Sequence, residues 1–248
     1  MRKEEGASMD KNKILGVTGI LTSSTHRLVA LAMVGLLLLV SGHAAVPAEP
    51  PEGAVTADIG FPPVGTQLEY ETVQFSGKTQ RQIFTVLEEG THNGRPVYRM
   101  SDGVETLIYD KATESWVATF RNGKVVAEAS PHSGSMSFPL WVGKSWDFRY
   151  RYTEHQKGIL NPRVTRRCQV NAYEEIKVPA GTFKTFKVRC ATALNVITIW
   201  YSPELHKFVK SVFEIERYKP GRDKLQDMYK RRTRELLRYR LPGGNWHP

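Results

Sequence analysis

The segment Trp146-Asp-Phe-Arg-Tyr-Arg-Tyr-Thr153 alternates aromatic side chains with charged or polar ones. Successive side chains of a β-strand point to opposite faces of the sheet, so a period of two predicts a strand with one apolar face and one solvated face. The same alternation occurs in Leu68–Thr72, Phe84–Val86 and Val209–Ile215. The domain is therefore predicted to consist mainly of strands of this type.

Turn-forming residues separate the alternating runs at intervals of roughly 8–15 residues. They are Ser76-Gly77, Asn93-Gly94, Asp102-Gly103, Asn122-Gly123, Pro179-Ala180-Gly181 and Pro220-Gly221. Asn122-Gly123 is the strongest hairpin signal, because a tight primed turn needs a positive φ at both central residues. We predict an all-β fold, a curved antiparallel meander of about ten strands that is partly closed into a barrel or packed as a sandwich.

The two cysteines lie on neighbouring predicted strands. Cys168 is on the apolar side of Val164–Val178, Cys190 is on the apolar side of Phe183–Leu194, and Pro179 in the turn is midway between them. In an oxidising compartment this geometry predicts a cross-strand disulfide between Cys168 and Cys190. The alternative is two free buried thiols, which a β-bulge that shifts the strand register would favour.

Residues 1–44 have the three parts of a secretory signal peptide. Arg27 and four earlier basic residues precede a 13-residue apolar run, Leu28–Val40, and small residues follow it. We predict cleavage after Ala44 and a periplasmic or secreted location, and the alternative is an uncleaved N-terminal anchor. No cysteine follows the apolar run, so the sequence does not predict a lipid-modified N-terminus.

The composition excludes several classes of protein. The 248 residues are 40% hydrophobic and 24% charged, with a formal net charge of +10. These values are unlike those of a disordered, collagen-like or polytopic membrane chain. After the signal peptide we predict a Pro-rich linker at 45–64, one β domain at 65–241 and a C-terminal tail at 242–248. The mature chain is predicted not to span a membrane.

Three short motifs occur in order along the chain. They are Phe138-Pro-Leu-Trp-Val-Gly-Lys-Ser-Trp146, Val178-Pro-Ala-Gly-Thr-Phe183 and Trp200-Tyr-Ser-Pro203. Together they resemble a family of exported, uncharacterised bacterial β proteins, which are loosely similar to the lipoprotein-localisation-factor architecture. The resemblance implies an envelope protein with a curved sheet and a hydrophobic concave face, and it implies no activity.

The sequence contains no recognisable catalytic or metal-binding constellation. None of the histidines after the signal peptide lies two or four residues from another, as metal ligands on one strand or helix would. They are His92, His132, His155, His206 and His247. Nucleophile elbows, phosphate-binding loops and dinucleotide fingerprints are also missing. We therefore predict no enzyme activity, no metal and no cofactor.

Aromatic residues form the candidate ligand-binding set. They are Trp146, Phe148, Tyr150, Tyr152 and Trp200. On an open or partly closed sheet they would line a concave cavity for a lipid or acyl ligand or a sugar polymer. In a closed sandwich they would pack the core instead.

Positive charge is concentrated near the C-terminus, where residues 207–240 contain twelve Lys and Arg against five Asp and Glu. We predict an edge strand from about Arg232, whose basic residues either contact an anionic envelope surface or only keep the edge soluble. The candidate residues are Lys230, Arg231, Arg232, Arg234 and Arg238. Nucleic acid is not predicted as a partner, because the signal peptide directs the chain out of the cytoplasm.

These observations lead to three functional hypotheses. The leading one is an exported, non-enzymatic protein that binds an apolar ligand or partner on a curved sheet in envelope maintenance. The alternative is an interaction protein that docks on anionic envelope polymer or lipid through its basic C-terminal edge. A cryptic hydrolase is third. The sequence does not predict an oligomeric state.

Overall fold

The structure is a computed structural model that describes residues 49–216 and 229–248. The predicted signal peptide at 1–44 lies outside these ranges, as does the connection 217–228. Within them the chain forms thirteen β-strands and one short 3-10 helix, His155–Lys157. The strands are β1 (Gln67–Val73), β2 (Thr79–His92), β3 (Arg95–Ser101), β4 (Glu105–Asp110), β5 (Trp116–Arg121), β6 (Lys124–Ser130), β7 (Ser145–Glu154), β8 (Ile159–Val178), β9 (Gly181–Ala191), β10 (Asn195–Ser202), β11 (Lys207–Glu216), β12 (Tyr229–Arg240) and β13 (Trp246–His247).

Each strand pairs antiparallel with the next along the chain, and β1 also pairs with β12. This last pairing runs from Gln67 opposite Arg240 to Val73 opposite Thr233 and closes the first twelve strands into a barrel. The predicted all-β antiparallel meander is confirmed. The predicted C-terminal edge is wrong, because β12 has hydrogen-bonded neighbours on both sides and β13 adds to its end.

The hairpins follow from the turn residues identified in the sequence. Asn122 and Gly123 have φ values of 51° and 72° and join β5 to β6, which confirms the strongest predicted hairpin. Asn93 and Gly94 join β2 to β3 with φ values of 49° and 75°. Two positive φ angles match the right-handed twist of the flanking strands, so these dipeptides set the registers locally.

Alternate side chains of the strands fill the interior of the barrel. One cluster includes Leu68 and Tyr70 of β1, Phe84 and Val86 of β2, and residues of β9, β11 and β12. Tyr70 is fully buried, and its hydroxyl donates to the carbonyl oxygen of Phe208 at 2.8 Å. This hydrogen bond joins strands that are far apart in sequence and satisfies the polar atom of an otherwise apolar cluster.

Residues 131–144, between β6 and β7, pack against the inner faces of several strands, and we call them the plug. The Trp146 indole of β7 donates to the Gly134 carbonyl at 3.0 Å. At Ser115 the hydroxyl accepts from the Met136 amide at 3.1 Å. Gly134 has a φ of 63°, and a Cβ there would lie 2.2 Å from a ring carbon of Phe148. Only glycine allows this close approach between the plug and β7.

The Cys168–Cys190 disulfide is present and joins directly opposed residues of β8 and β9, which confirms the predicted pairing. The tight turn between β8 and β9 sets the register of this hairpin. If that register continued unbroken along β8, Cys168 would lie opposite Ala191. A β-bulge between Val170 and Ala172 shifts that register by one residue and brings Cys168 opposite Cys190. The bulge therefore creates the pairing that a bulge was expected to prevent.

The two segments that flank the barrel in the described chain pack against it. In the predicted linker, Ala57 is buried and exchanges backbone hydrogen bonds with Leu140 of the plug, and Phe61 stacks on Tyr98 with ring centroids 4.0 Å apart. In the predicted tail, β13 pairs with β12. None of the residues described here belongs to a helix that is long and apolar enough to cross a membrane.

Candidate ligand site in the barrel lumen

The barrel lumen contains a cavity of about 390 Å³, which we call the inner chamber. Its walls come from the plug, from seven strands and from the β4–β5 turn, so it lies inside the barrel. Most of the contacting surface belongs to aromatic and aliphatic side chains. These are Tyr109, Trp116, Met136, Tyr152, Ile197, Ile199, Tyr201, Phe208 and Phe213.

A second cavity of about 560 Å³ adjoins the first, and we call it the outer chamber. Its walls are mainly polar and include residues of the β1–β2 and β3–β4 turns. They include Gln74, Gln80, Gln82, Asp102, Glu105, Thr119 and Arg121. Arg232 and Arg234 of β12 line both cavities, so the two chambers meet at this pair of guanidinium groups.

The two ends of the lumen follow from the up-and-down topology. Connections after even-numbered strands lie at one end of such a barrel, and connections after odd-numbered strands lie at the other. The plug and the β4–β5 and β10–β11 turns therefore share one end, which we call the plug end. Arg232 and Arg234 lie near the start of β12 and hence toward the opposite end, which we call the arginine end.

A buried ion pair occupies the plug end. The Lys207 ammonium donates to Glu114 Oε1 at 2.8 Å, and only 3% and 4% of the two side chains is exposed. The same ammonium lies 3.9 Å from the ring centroid of Tyr109 and 4.5 Å from that of Phe61. Two aromatic faces and one carboxylate thus replace the water that the buried cation has lost.

Burial dominates the electrostatics of this pair. It raises the pKa of the Glu114 carboxyl to about 7, and the positive charge of Lys207 only partly opposes that rise. Burial also raises the pKa of the Tyr201 hydroxyl, and the nearby Glu114 adds to the effect.

Three guanidinium groups line the inner chamber, and none of them forms an ion pair with a carboxylate among the described side chains, those of residues 49–215 and 231–248. Arg166 is held by the plug and by β7, since it donates to the Ser133 carbonyl at 2.8 Å and to the Tyr150 hydroxyl at 2.9 Å. Among the described residues, Arg234 donates through Nε to Thr72 Oγ1 at 3.0 Å. Burial lowers the pKa of Arg166 and of Arg232.

The two acidic residues that line the outer chamber already have partners. Asp102 accepts from the Gln82 amide at 2.8 Å and from the backbone amides of Val104 and Glu105. These hydrogen bonds outweigh its burial and lower its pKa. Glu105 forms an ion pair with Arg121. Neither carboxylate therefore neutralises Arg232 or Arg234.

The predicted aromatic set is divided between different environments. Tyr152 lines the inner chamber. Trp146, Phe148 and Tyr150 lie on the same face of β7 as Tyr152, but they pack against the plug or against Arg166. Phe148 stacks on the plug residue His132 with centroids 4.3 Å apart. The fifth member, Trp200, is separate from the chamber walls, because its indole donates to Glu174 at 2.8 Å between Lys187 and Lys210.

The predicted basic set does not form one surface. Arg231 is exposed, Arg232 and Arg234 point into the lumen, and Arg238 contacts Glu69 and the ring of Trp246. The side chain of Lys230 lies outside the described residues. The pairing of β1 with β12 contains a β-bulge opposite the step from Glu69 to Tyr70. Because the bulge adds one residue to β12, Arg232 and Arg234 before it face inward, whereas Arg238 after it faces outward.

Sequence reasoning missed three of the charged residues in the lumen. Glu114 and Lys207 are 93 residues apart and lie in or beside turns, so no local pattern connects them. The sequence did contain a signal for Arg166. It is two residues from Cys168 and four from Val170, so it lies on the same apolar face of β8 as they do. Charged residues on an apolar face are candidates for the interior of a barrel.

Comparisons with known proteins give only distant similarities. No protein-family model matches the chain, and no curated protein matches it at a significant level. Three crystal structures are similar, at TM-scores of 0.36, 0.39 and 0.40 and at 14%, 14% and 10% identity. They are a lipoprotein candidate from Parabacteroides distasonis, an exported-protein candidate with a YmcC-like fold from Bacteroides fragilis, and the hypothetical lipoprotein YmcC from Escherichia coli. The alignments cover 74%, 74% and 69% of this chain and 99%, 99% and 83% of those chains.

Proposed function

We propose that this protein is an exported, non-enzymatic binding protein that holds an apolar ligand inside its barrel and acts in envelope maintenance. The inner chamber carries the proposal. Its volume of about 390 Å³ lies within the range of about 300–1,000 Å³ that is usual for small-molecule sites. Export is supported by the signal-peptide pattern of residues 1–44.

Packing energetics support a binding role for the chamber. Protein interiors are normally close-packed, and voids larger than a water molecule are few. A space of this size between Trp116, Ile199 and Phe213 forgoes dispersion contacts that larger side chains would make. An apolar ligand would recover those contacts and remove its own surface from water.

Filling the chamber with a side chain tests the proposal. Ser211 of β11 lines the inner chamber, and Ser211→Trp would occupy its volume. The matched control is Ser145→Trp, at an exposed position on β7. Both variants and the wild type would be titrated with a fluorescent fatty-acyl probe, and ligands co-purified from an exported preparation would be identified by mass spectrometry after solvent extraction.

We expect the wild type and Ser145→Trp to bind the probe, and Ser211→Trp to bind it at least about tenfold more weakly because the chamber is filled. Circular dichroism would confirm that both variants keep the β-sheet. Equal binding by all three proteins would contradict a lumenal site. Absence of probe binding together with absence of any extracted ligand would contradict the proposed function itself.

A further inference from the structure

We infer that the ligand is an amphiphile with a single anionic headgroup, a carboxylate or a phosphate monoester, which the Arg232–Arg234 pair binds while the apolar part lies in the inner chamber. This inference deepens the proposed function and rests on it. It starts from the charge of the lumen. Lys207 is paired with Glu114, whereas the guanidinium groups that line the same chamber have no carboxylate partner among the described side chains.

An unneutralised cation in a low-dielectric interior is costly unless something of opposite charge accompanies it. Arg232 and Arg234 are two residues apart on one strand, so their side chains leave the same face of the sheet and repel each other. Consistent with this, burial and the charge of Arg234 both lower the pKa of Arg232. A bound anion between them would reduce the repulsion and supply a counter-charge that no described side chain provides.

Both arginines lie against aromatic rings, which attract a cation without supplying a hydrogen-bond acceptor atom. The Arg232 guanidinium lies over the rings of Phe75 and Phe213, at 5.8 and 5.3 Å from their centroids. Arg234 lies over Tyr70 and Phe84, at 5.9 and 5.5 Å. A cation–π contact of this kind needs no oxygen or nitrogen acceptor. The rings therefore favour the position of each guanidinium and leave its N–H groups for other acceptors.

The number of donors matches a carboxylate or a phosphate. A guanidinium has five N–H groups, and Arg234 uses one of them toward Thr72. Two such groups on one face can offer paired N–H donors to the oxygens of a planar carboxylate or of a phosphate monoester. Arg166 differs, because two of its donors already hold Ser133 and Tyr150. Arg166 therefore fixes the plug, and the anion site is assigned to the β12 pair.

The position of the pair sets the orientation of the ligand. Arg232 and Arg234 lie where the apolar inner chamber meets the polar outer chamber. A headgroup at this boundary would have its charge on the guanidinium groups and its remaining oxygens toward the glutamine side chains of the outer chamber. The alkyl chain would then extend toward the plug end.

The test compares ligands that share an alkyl chain and differ in the headgroup. Laurate, lauryl phosphate and lauryl alcohol would be titrated by displacement of the fatty-acyl probe from the wild type and from Arg232→Gln/Arg234→Gln. The matched control is Arg231→Gln, which removes one positive charge from the exposed side of the same strand. Circular dichroism and a thermal melt would establish that each variant is folded.

We expect the wild type and Arg231→Gln to bind one of the anionic ligands about 10- to 100-fold more tightly than lauryl alcohol, because charge-assisted hydrogen bonds form only with the anion. The double variant should lose this advantage and retain its affinity for the alcohol. A preference for laurate or for lauryl phosphate assigns the headgroup chemistry.

The inference is overturned if the wild type binds the alcohol as tightly as both anions, or if the double variant keeps the advantage of the anions. In either case the proposed function stands, since an alkyl ligand still binds in the lumen. If none of the three ligands displaces the probe and the probe itself does not bind, the proposed function fails first and the inference fails with it.

Discussion

The plug end and the arginine end of the lumen both contain charged side chains at least half-buried, but among the described side chains a carboxylate partner is found at the plug end and not at the arginine end. Lys207 at the plug end has the Glu114 carboxylate at 2.8 Å and two aromatic rings. Arg232 and Arg234 at the arginine end have aromatic rings but no carboxylate within the described chain. The first arrangement is that of a structural ion pair, and the second agrees with the anion site inferred above.

The largest effect is expected from breaking the plug-end pair. Lys207→Met should lower the free energy of unfolding by about 3–5 kcal/mol well above pH 7, because it leaves the Glu114 carboxylate buried without its cation. Urea denaturation would measure the change. The matched control is Glu114→Gln/Lys207→Met, which should recover much of the loss. A double variant no more stable than the single one would contradict this account of the pair.

Removing the disulfide should have the next largest effect on the plug end. The two sulfur atoms lie 3.6 and 3.5 Å from the carbonyl oxygens of Gly134 and Ser135, so the bond supports the plug as well as the β8–β9 hairpin. Cys168→Ala/Cys190→Ala should lower the free energy of unfolding by about 3 kcal/mol and keep the fold. Thermal denaturation and circular dichroism would measure both.

A count of thiols provides the independent check on that bond. Exported protein that is denatured without reductant should contain no free thiol, since both cysteines are in the disulfide. Two free thiols per chain would contradict the disulfide in the exported protein. An unchanged melting temperature in the double variant would instead show that the bond does not support the plug end.

The pH dependence of stability should carry a contribution from Glu114. Burial raises its folded-state pKa from the ordinary value of 4.5 to about 7, so between these values the folded protein binds more protons than the unfolded chain. The free energy of unfolding should therefore fall as the pH rises from about 4.5 to about 7 and show no further Glu114 contribution above that. In Glu114→Gln, this decrease of the free energy of unfolding with pH should be absent. An identical slope in wild type and variant would exclude Glu114 as its source.

The smallest effect on stability is expected at the arginine end. Arg232→Gln/Arg234→Gln should change the free energy of unfolding by less than about 1 kcal/mol, because the loss of two cation–π contacts is offset by the end of their mutual repulsion. Urea denaturation would compare this variant with Lys207→Met. A loss as large as that of Lys207→Met would mean that the arginine pair is structural, and the contrast between the two ends would disappear.

The strands and hairpins of this fold were largely predictable from sequence, and the site was only partly so. The alternation at Trp146–Thr153 and the Asn122-Gly123 turn each report on residues that are close in the chain. Tyr152, Arg232 and Arg234 were identified as candidates, although the two arginines were placed on an outer edge. The position of an inward-facing residue depends on whether its sheet closes, and closure requires contact between β1 and β12, which are far apart in sequence.

The sequence by itself determined the period of two, the positions of the turns and the shared hairpin of Cys168 and Cys190, because each depends on backbone preferences within a few residues. Only the tertiary structure decided the barrel closure, the bulge that aligns the two cysteines, and the pairing of Lys207 with Glu114. These features depend on registers and contacts between distant segments, where a shift of one residue exchanges the inner and outer faces of a strand. For that reason a basic strand that was predicted as a solvated edge instead brings two arginines into the lumen.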